Sequence, residues 1–299
     1  MNLLITGAWN CTDEQLNEIK RMGHSIMFLQ QEKELLPCDY EWVEGVIGNG
    51  LFLFHDISKF TNLHYVQTTS TGLDRIPLDY CKAHGIVVHN AKGVYSIPMA
   101  EFAISGILDL IKRKKDFFIS QEKHEWKKNR DIAELNGMKV LIVGCGSVGC
   151  ECAKRLSSFD CDIIGVDIVT FDSPYFSKVF PISNLKGLLC SADIILLSVP
   201  LNNDTKNLID KSILSLLKPT TIIVNLARGE VVNTLDLIDA LKNKSISGAV
   251  LDVFEEEPLP SDSPLWNCDN VIITPHNSFV SDKNSNRLFE LIKRNLSDF

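Results

Sequence analysis

The sequence contains no CxxC pair, and its nine cysteines show no zinc-ligand spacing even where Cys145, Cys150 and Cys152 crowd together. No metal site is expected, and the thiols read as small reduced hydrophobes of a cytoplasmic protein. No window reaches the roughly 18 uncharged apolar residues that a membrane span requires. The segment Met1–Gly7 lacks the basic region and long apolar stretch of a signal peptide. Positive charge is scarce: 30 Lys and Arg stand against 38 Asp and Glu, a net charge of −8. Nucleic acid and anionic membrane surfaces are bound through basic patches, so neither is expected as a partner. The short run Lys112–Lys115 reads as a solvated helix end. There is no internal repeat and no low-complexity segment.

What is present is ordinary globular material, 45% hydrophobic and 23% charged, in 299 residues that suit two cores. Short apolar runs alternate with helical patterns, the signature of βα units and parallel sheets. Strand candidates in the first hundred residues are 2–7, 24–29, 45–47, 64–68 and 86–89, with a helix from Thr12-Asp13 to about Gly23. After the fourth of these comes Ser70-Thr71-Gly72-Leu73-Asp74. Backbone N–H groups beside a Gly at a strand's carboxyl end can cradle a carboxylate, and an ordinary βα turn would look the same. Pro98 is expected to open a long helix to about Phe118, followed by polar, irregular residues 119–137. A second sheet is expected from strands 139–143, 162–166, 192–199, 220–226, 248–253 and 271–274, with a last helix over about 282–296.

Gly144, Gly146 and Gly149 form GxGxxG at the end of an apolar strand and the start of a helical pattern at Ser147. The first Gly permits a tight turn, the second lets backbone approach a pyrophosphate, and the third lets helix and strand pack closely. The helix N-terminus then offers free N–H groups and a positive dipole to phosphate. The next strand ends in Asp167, 23 residues beyond Gly144, where an acid bonds the ribose hydroxyls. A carboxylate repels a 2′-phosphate and Ile168-Val169-Thr170 offers no Arg, so NAD is expected rather than NADP.

Arg228, Glu257 and His276 lie at or near the ends of later strands, on the rim that carries the glycine turn. Arg pairs a carboxylate with a rigid fork of donors. His exchanges a proton near neutrality, and a neighbouring carboxylate orients its ring. Singly, each has a plainer reading: a structural His, a phosphate-binding Arg, a solvated acidic turn. Together, behind a dinucleotide fingerprint, they read as a catalytic set.

These stretches resemble the D-isomer-specific 2-hydroxyacid dehydrogenase family. The resemblance is carried by Val143–Gly149, Ser198–Thr205, Asn225–Val232, Leu251–Pro258 and Thr274–His276, with Ser70–Asp74 and Pro98–Glu101 as the family's substrate loop and interdomain helix. It implies a flavodoxin-like substrate domain, residues 1–97 and 280–299, with a Rossmann NAD-binding domain, residues 98–279, inserted in it. It implies hydride transfer between NAD and C2 of a small D-2-hydroxy or 2-oxo acid. Arg228 would bind the substrate's carboxylate and carbonyl, His276 would be the acid/base and Glu257 its partner. Ser70, Thr71 and Gly72 would hold the carboxylate by backbone. Gly144, Gly146, Ser147, Val148, Gly149, Asp167, Val199, Pro200, Leu226 and Ala227 would hold the cofactor, with Asp252 at the nicotinamide carboxamide and Thr205 on the pyrophosphate side. A homodimer through the cofactor domain is also implied, with residues 119–137 in the interface. Two departures stand out: Asn277-Ser278-Phe279 replaces a small, Gly-containing run after the His, and Asn233 stands where Asp is frequent. The added regulatory domain of the longer phosphoglycerate dehydrogenases is not expected in 299 residues. A silent NAD-binding regulator resembling the corepressors of this fold is the alternative. A formate dehydrogenase ranks below both, because that branch has Gln where Glu257 stands.

Overall fold

A computed structural model describes all residues, Met1–Phe299, and the chain divides into two compact units. One comprises Met1–Tyr95 with Ser281–Phe299, the other Ser96–Val280. The expected boundaries, 97/98 and 279/280, lie within two residues of these.

The first unit has strands β1 (Asn2–Thr6), β2 (Ser25–Leu29), β3 (Gly45–Gly48), β4 (Tyr65–Thr68) and β5 (Val87–His89), with helices α1 (Asp13–Arg21) and α2 (Leu78–Ala83). They pair in parallel in the order β2-β1-β3-β4-β5, the flavodoxin-like order. Alternate residues bury opposite faces, as a parallel sheet requires. Leu3, Ile5, Ile47 and Tyr65 face one cluster, and Leu4, Val46 and Val66 face the other. Thr12 starts α1 with a capping box, its hydroxyl accepting from the Gln15 N–H while the Gln15 side chain accepts from the Thr12 N–H.

The second unit contains α3 (Ser96–Ile111), α4 (Lys114–Glu122), β6 (Lys139–Val143), α5 (Ser147–Leu156), β7 (Asp162–Asp167), β8 (Lys178–Pro181), α6 (Leu185–Leu189), β9 (Ile194–Leu197), α7 (Lys211–Leu214), β10 (Ile222–Asn225), α8 (Thr234–Lys242), β11 (Gly248–Leu251) and β12 (Val271–Ile273). Its seven strands are parallel in the order β12-β11-β10-β9-β6-β7-β8. The strand order reverses between β6 and β9, the switch point beside which dinucleotides bind. The closing helix α9 (Asn284–Ser297) belongs to the first unit, burying Leu288, Phe289, Ile292 and Leu296 against Leu3, Ile5 and Trp9.

Three expectations need correction. Pro98 does not open its helix; α3 begins at Ser96 and Pro98 sits in its first turn, where the missing N–H has no intrahelical acceptor to lose. The helix does not reach Phe118 unbroken. The buried stripe of α3 ends at Ile111, and Arg113 turns left-handed at φ +54° before α4. Finally, β8 is absent from the expected strands. It is a four-residue edge strand that ends in Pro181, which only an edge tolerates, and Val179 is its one buried residue.

Candidate active site

The glycine turn in the second unit is built from three different demands. Gly144 turns the chain at φ +92°, a left-handed conformation costly to any residue with a Cβ. Gly149 passes the Gly144 carbonyl so closely that a Cβ would stand 2.1 Å from its oxygen. Gly146 meets nothing: no protein atom lies within 4 Å of where its Cβ would be. The first internal bond of α5 runs from the Cys150 N–H to the Gly146 carbonyl (2.9 Å), so the N–H groups of Ser147, Val148 and Gly149 have no acceptor within the helix. Open space before free donors at a positive helix end fits a pyrophosphate.

Neighbouring strand ends pin this turn. Ser198, just past β9, donates its hydroxyl to the Gly144 carbonyl (2.7 Å). Asp167 accepts from the Cys145 N–H (2.6 Å) through one oxygen and from the Ile168 and Val169 N–H groups (2.7 and 3.3 Å) through the other. A carboxylate has about four acceptor positions, so Asp167 keeps room for one ribose hydroxyl rather than two. Cys145 points inward, and burial, with Asp167 adding to it, pushes its thiol up to about 12. It is therefore no nucleophile near neutrality. Thr205 donates to the Pro200 carbonyl (2.6 Å) and accepts from the Asn202 N–H (2.8 Å), which closes the loop begun by Val199 and Pro200. The side chains of Leu226 and Ala227 are buried in the two core layers, so these residues face a ligand only through backbone.

At the end of β10, Asn225 is 1% exposed and its amide grips the Arg228 loop. Its oxygen accepts from the Ala227 N–H and its nitrogen donates to the Arg228 carbonyl, both at 3.0 Å. The half-buried Arg228 guanidinium donates to the Ala227 carbonyl (2.7 Å). Gly229 then runs against the loop that follows β11, where a Cβ would fall 1.8 Å from the Phe254 carbonyl carbon. That same loop carries Glu257. Its one oxygen accepts from the Phe254 N–H (3.0 Å), and the other accepts from His276 Nδ1–H (2.8 Å). With Nδ1 so engaged, Nε2 is the nitrogen left for a substrate.

Asp252 has no exposed surface. One carboxylate oxygen accepts from the Thr274 hydroxyl (2.6 Å) and the Asn277 N–H (2.8 Å), the other from the Ser278 N–H (3.0 Å). Its backbone carbonyl accepts from the His276 N–H (2.8 Å), which helps hold His276 left-handed at φ +51°. Asp252, the residue expected at the carboxamide, also clamps the His276 turn.

In the first unit the turn after β4 hides its carbonyls and keeps its donors. The Ser70 carbonyl accepts from the Thr68 hydroxyl (2.7 Å) and the Ala91 N–H (2.9 Å). The Thr71 carbonyl accepts from Asn90 (2.8 Å), the Gly72 carbonyl from the Ser70 hydroxyl (2.8 Å), and the Thr69 carbonyl from the Tyr95 hydroxyl. Such a turn presents N–H groups at Ser70, Thr71 and Gly72, which suits an anion.

A family model described as "D-isomer specific 2-hydroxyacid dehydrogenase, NAD binding domain" matches residues 104–278. The chain belongs to that family. It is 37% identical over 241 residues to the glyoxylate reductase of Thermofilum pendens, covering 79% of this chain and 71% of the relative. It is 32% identical over 287 residues to glyoxylate/hydroxypyruvate reductase A of Arabidopsis thaliana, covering 94% and 90%. The crystal structure of Aquifex aeolicus D-lactate dehydrogenase, complexed with NAD and lactic acid, superposes with a TM-score of 0.79 at 28% identity, over 99% of this chain and 94% of that one.

As a 2-hydroxyacid dehydrogenase the chain has positioning residues that sequence reasoning passed over. Asn225, Gly229 and Ser198 lie inside segments that carry the family resemblance, yet only the structure shows what each holds. The one sequence signal was a polar amide ending the otherwise apolar strand β10.

The three glycines make a sharp test. Gly146→Ala is expected to leave the thermal midpoint unchanged, because its Cβ meets no protein atom, while NADH binding weakens at least about tenfold through a clash with phosphate. Fluorescence titration and differential scanning calorimetry read the two effects. Unaltered NADH affinity would mean that the pyrophosphate does not approach Gly146.

Proposed function

We propose that this dehydrogenase interconverts a small D-2-hydroxy acid and its 2-oxo acid, with Arg228, Glu257 and His276 as its catalytic residues. The observation that carries the reading is the 2.8 Å Glu257–His276 pair on a loop packed against the Arg228 loop. When bound, the nicotinamide supplies or accepts the hydride at C2. Arg228 pairs the substrate carboxylate and stabilises negative charge growing on the carbonyl oxygen. His276 gives a proton from Nε2 to that oxygen during reduction and takes it back during oxidation. Glu257 holds the ring through Nδ1 and stabilises the imidazolium, as the acid of a catalytic triad does. The N–H groups of Ser70, Thr71 and Gly72 bind the substrate carboxylate.

The cofactor is held at its pyrophosphate by the Gly144–Gly149 turn and at its ribose by Asp167. Val199, Pro200, Leu226 and Ala227 line its path through backbone, with Thr205 on the pyrophosphate side and Asp252 at the nicotinamide carboxamide. The Asp167 carboxylate, followed by a segment without Arg, favours NAD over NADP.

Arg228→Lys is expected to lower kcat/KM with every accepted 2-oxo acid by about 10²-fold or more, because a point charge replaces a planar fork. His276→Ala is expected to lose turnover by about 10²–10⁴-fold while still binding NADH. A panel of 2-oxo acids assayed with NADH and NADPH decides the rest. Retained turnover in His276→Ala places the proton elsewhere, equal use of NADPH removes the role of Asp167, and a wild-type protein that binds NADH but reduces nothing favours the silent regulator.

The second copy is the proposed protein partner, and the cytoplasm the proposed location. Helix α4 buries none of its residues, Phe118 is 60% exposed and Trp126 98%, an apolar display that a partner surface would cover. All nine cysteines are free thiols, as in a reducing compartment. Native mass spectrometry without reductant is expected to give a dimer of 33.5 kDa chains with no disulfide mass deficit. A monomer at micromolar concentration, or a disulfide, would contradict the respective half.

A further inference from the structure

We infer that Phe279 is a specificity-determining residue, and that it restricts this enzyme to 2-oxo acids whose C3 substituent is small and uncharged. The inference rests on the dehydrogenase reading above and concerns the same site.

The position of Phe279 follows from the clamp on its turn. Asp252 takes the N–H groups of Asn277 and Ser278, Ser278 is 2% exposed, and the Val280 N–H closes onto the Asn277 carbonyl (3.1 Å). With both flanks fixed, the Phe279 ring stands 6.0 Å from the His276 ring, centroid to centroid, at an interplanar angle of 85°. That edge-to-face arrangement is the favourable one for two π systems. The Nδ1 edge of the imidazole is already occupied by Glu257, so the benzyl group covers another side of the ring that must meet the substrate. At 39% exposure the ring is not sealed in the core.

Two consequences follow from the chemistry of that surface. The benzyl group fills volume that a Gly-containing run would leave open, so a long or branched C3 substituent on that side meets carbon. A phosphate, sulfonate or second carboxylate placed against the benzyl group would lose water to carbon, which is costly for a charge. A methyl or hydroxymethyl group suffers neither penalty. Hydrophobic pockets discriminate by about 10–200-fold per methylene-sized mismatch, which sets the scale of the effect.

The test compares kcat/KM of the full-length wild-type, Phe279→Ala and Phe279→Leu proteins with NADH. The substrates are glyoxylate, hydroxypyruvate, 4-methyl-2-oxopentanoate and 3-phosphohydroxypyruvate, and NADH affinity is measured by fluorescence for each protein. Wild type is expected to favour the first two by about 100-fold or more. Phe279→Ala is expected to raise the ratio of 4-methyl-2-oxopentanoate to glyoxylate at least about tenfold, with Phe279→Leu between. NADH affinity stays within twofold of wild type. A ratio that moves less than twofold in both variants, or a wild type that prefers the phosphorylated acid, overturns the inference while leaving the dehydrogenase reading intact. A wild type that binds NADH and reduces none of the four overturns both. If Phe279→Ala fails to bind NADH, the milder Phe279→Leu carries the decision by the same ratio.

Discussion

A carboxylate taken wholly out of water costs several kcal/mol unless donors answer it. Asp252 is answered by the Thr274 hydroxyl and the N–H groups of Asn277 and Ser278, and these donors come from the turn that carries His276. The constraint works in both directions. The turn satisfies the charge, and the charge dictates the turn, including the left-handed backbone of His276. Asp252 follows β11, which lies between β10 and β12, so it stands between the strand that delivers Arg228 and the strand that delivers His276. Its own N–H bonds to the Asn225 carbonyl (3.2 Å), which joins it to the residue gripping the Arg228 loop. The proposed catalytic geometry therefore rests on the end of an inner strand of a seven-stranded sheet.

The chain has a net charge of −8, yet its ligands, a dinucleotide and a carboxylic acid, are anions. Attraction has to be local. In the proposed site two turns meet that need with backbone rather than side chains. The Gly144–Gly149 turn leaves three N–H groups at the start of α5, and the Ser70–Gly72 turn commits its carbonyls to Thr68, Ala91, Asn90 and Ser70 so that its N–H groups remain. Backbone dipoles fixed in this way do not titrate and bring no counter-charge into the site. Arg228 then adds one full positive charge where the reacting carbonyl is expected. A protein need not be basic overall to hold anions, and net charge alone excludes only partners bound through extended surfaces.

Much of this was legible in the residues. Buried parallel strands write themselves as continuous apolar runs, which is why β6, β7 and β10 and the glycine turn could be read directly. The Arg, Glu and His side chains stand out only as a set behind the glycine turn, because each alone has a plainer reading. Less legible were features whose cause lies across space. The break between α3 and α4 depends on where the second unit stops offering a surface to bury, and β8 depends on a neighbour, β7, that supplies its hydrogen bonds. Nothing local to Asn225 or Gly229 announces a grip on Arg228 or a backbone contact with Phe254. Those roles exist only once β10 and β11 lie side by side.

The two strand-end aspartates show the same limit in sharper form. Asp167 ends one apolar strand of the sheet and Asp252 follows another, and the glycine-turn spacing for the first and the family resemblance for the second assign each to the cofactor. Asp167 is half-buried and accepts from the glycine turn and its own following residues. Asp252 has no surface and spends its oxygens on the next strand's loop. Both strands lie second from an edge of the sheet, β7 beside β8 and β11 beside β12, so the difference comes from the loops: the one after β12 folds over Asp252 and brings it the Thr274, Asn277 and Ser278 donors. Each carboxylate accepts three hydrogen bonds from the protein, so exposure rather than the count of donors separates them: Asp167 keeps surface at the rim, and Asp252 is enclosed by the turn it holds.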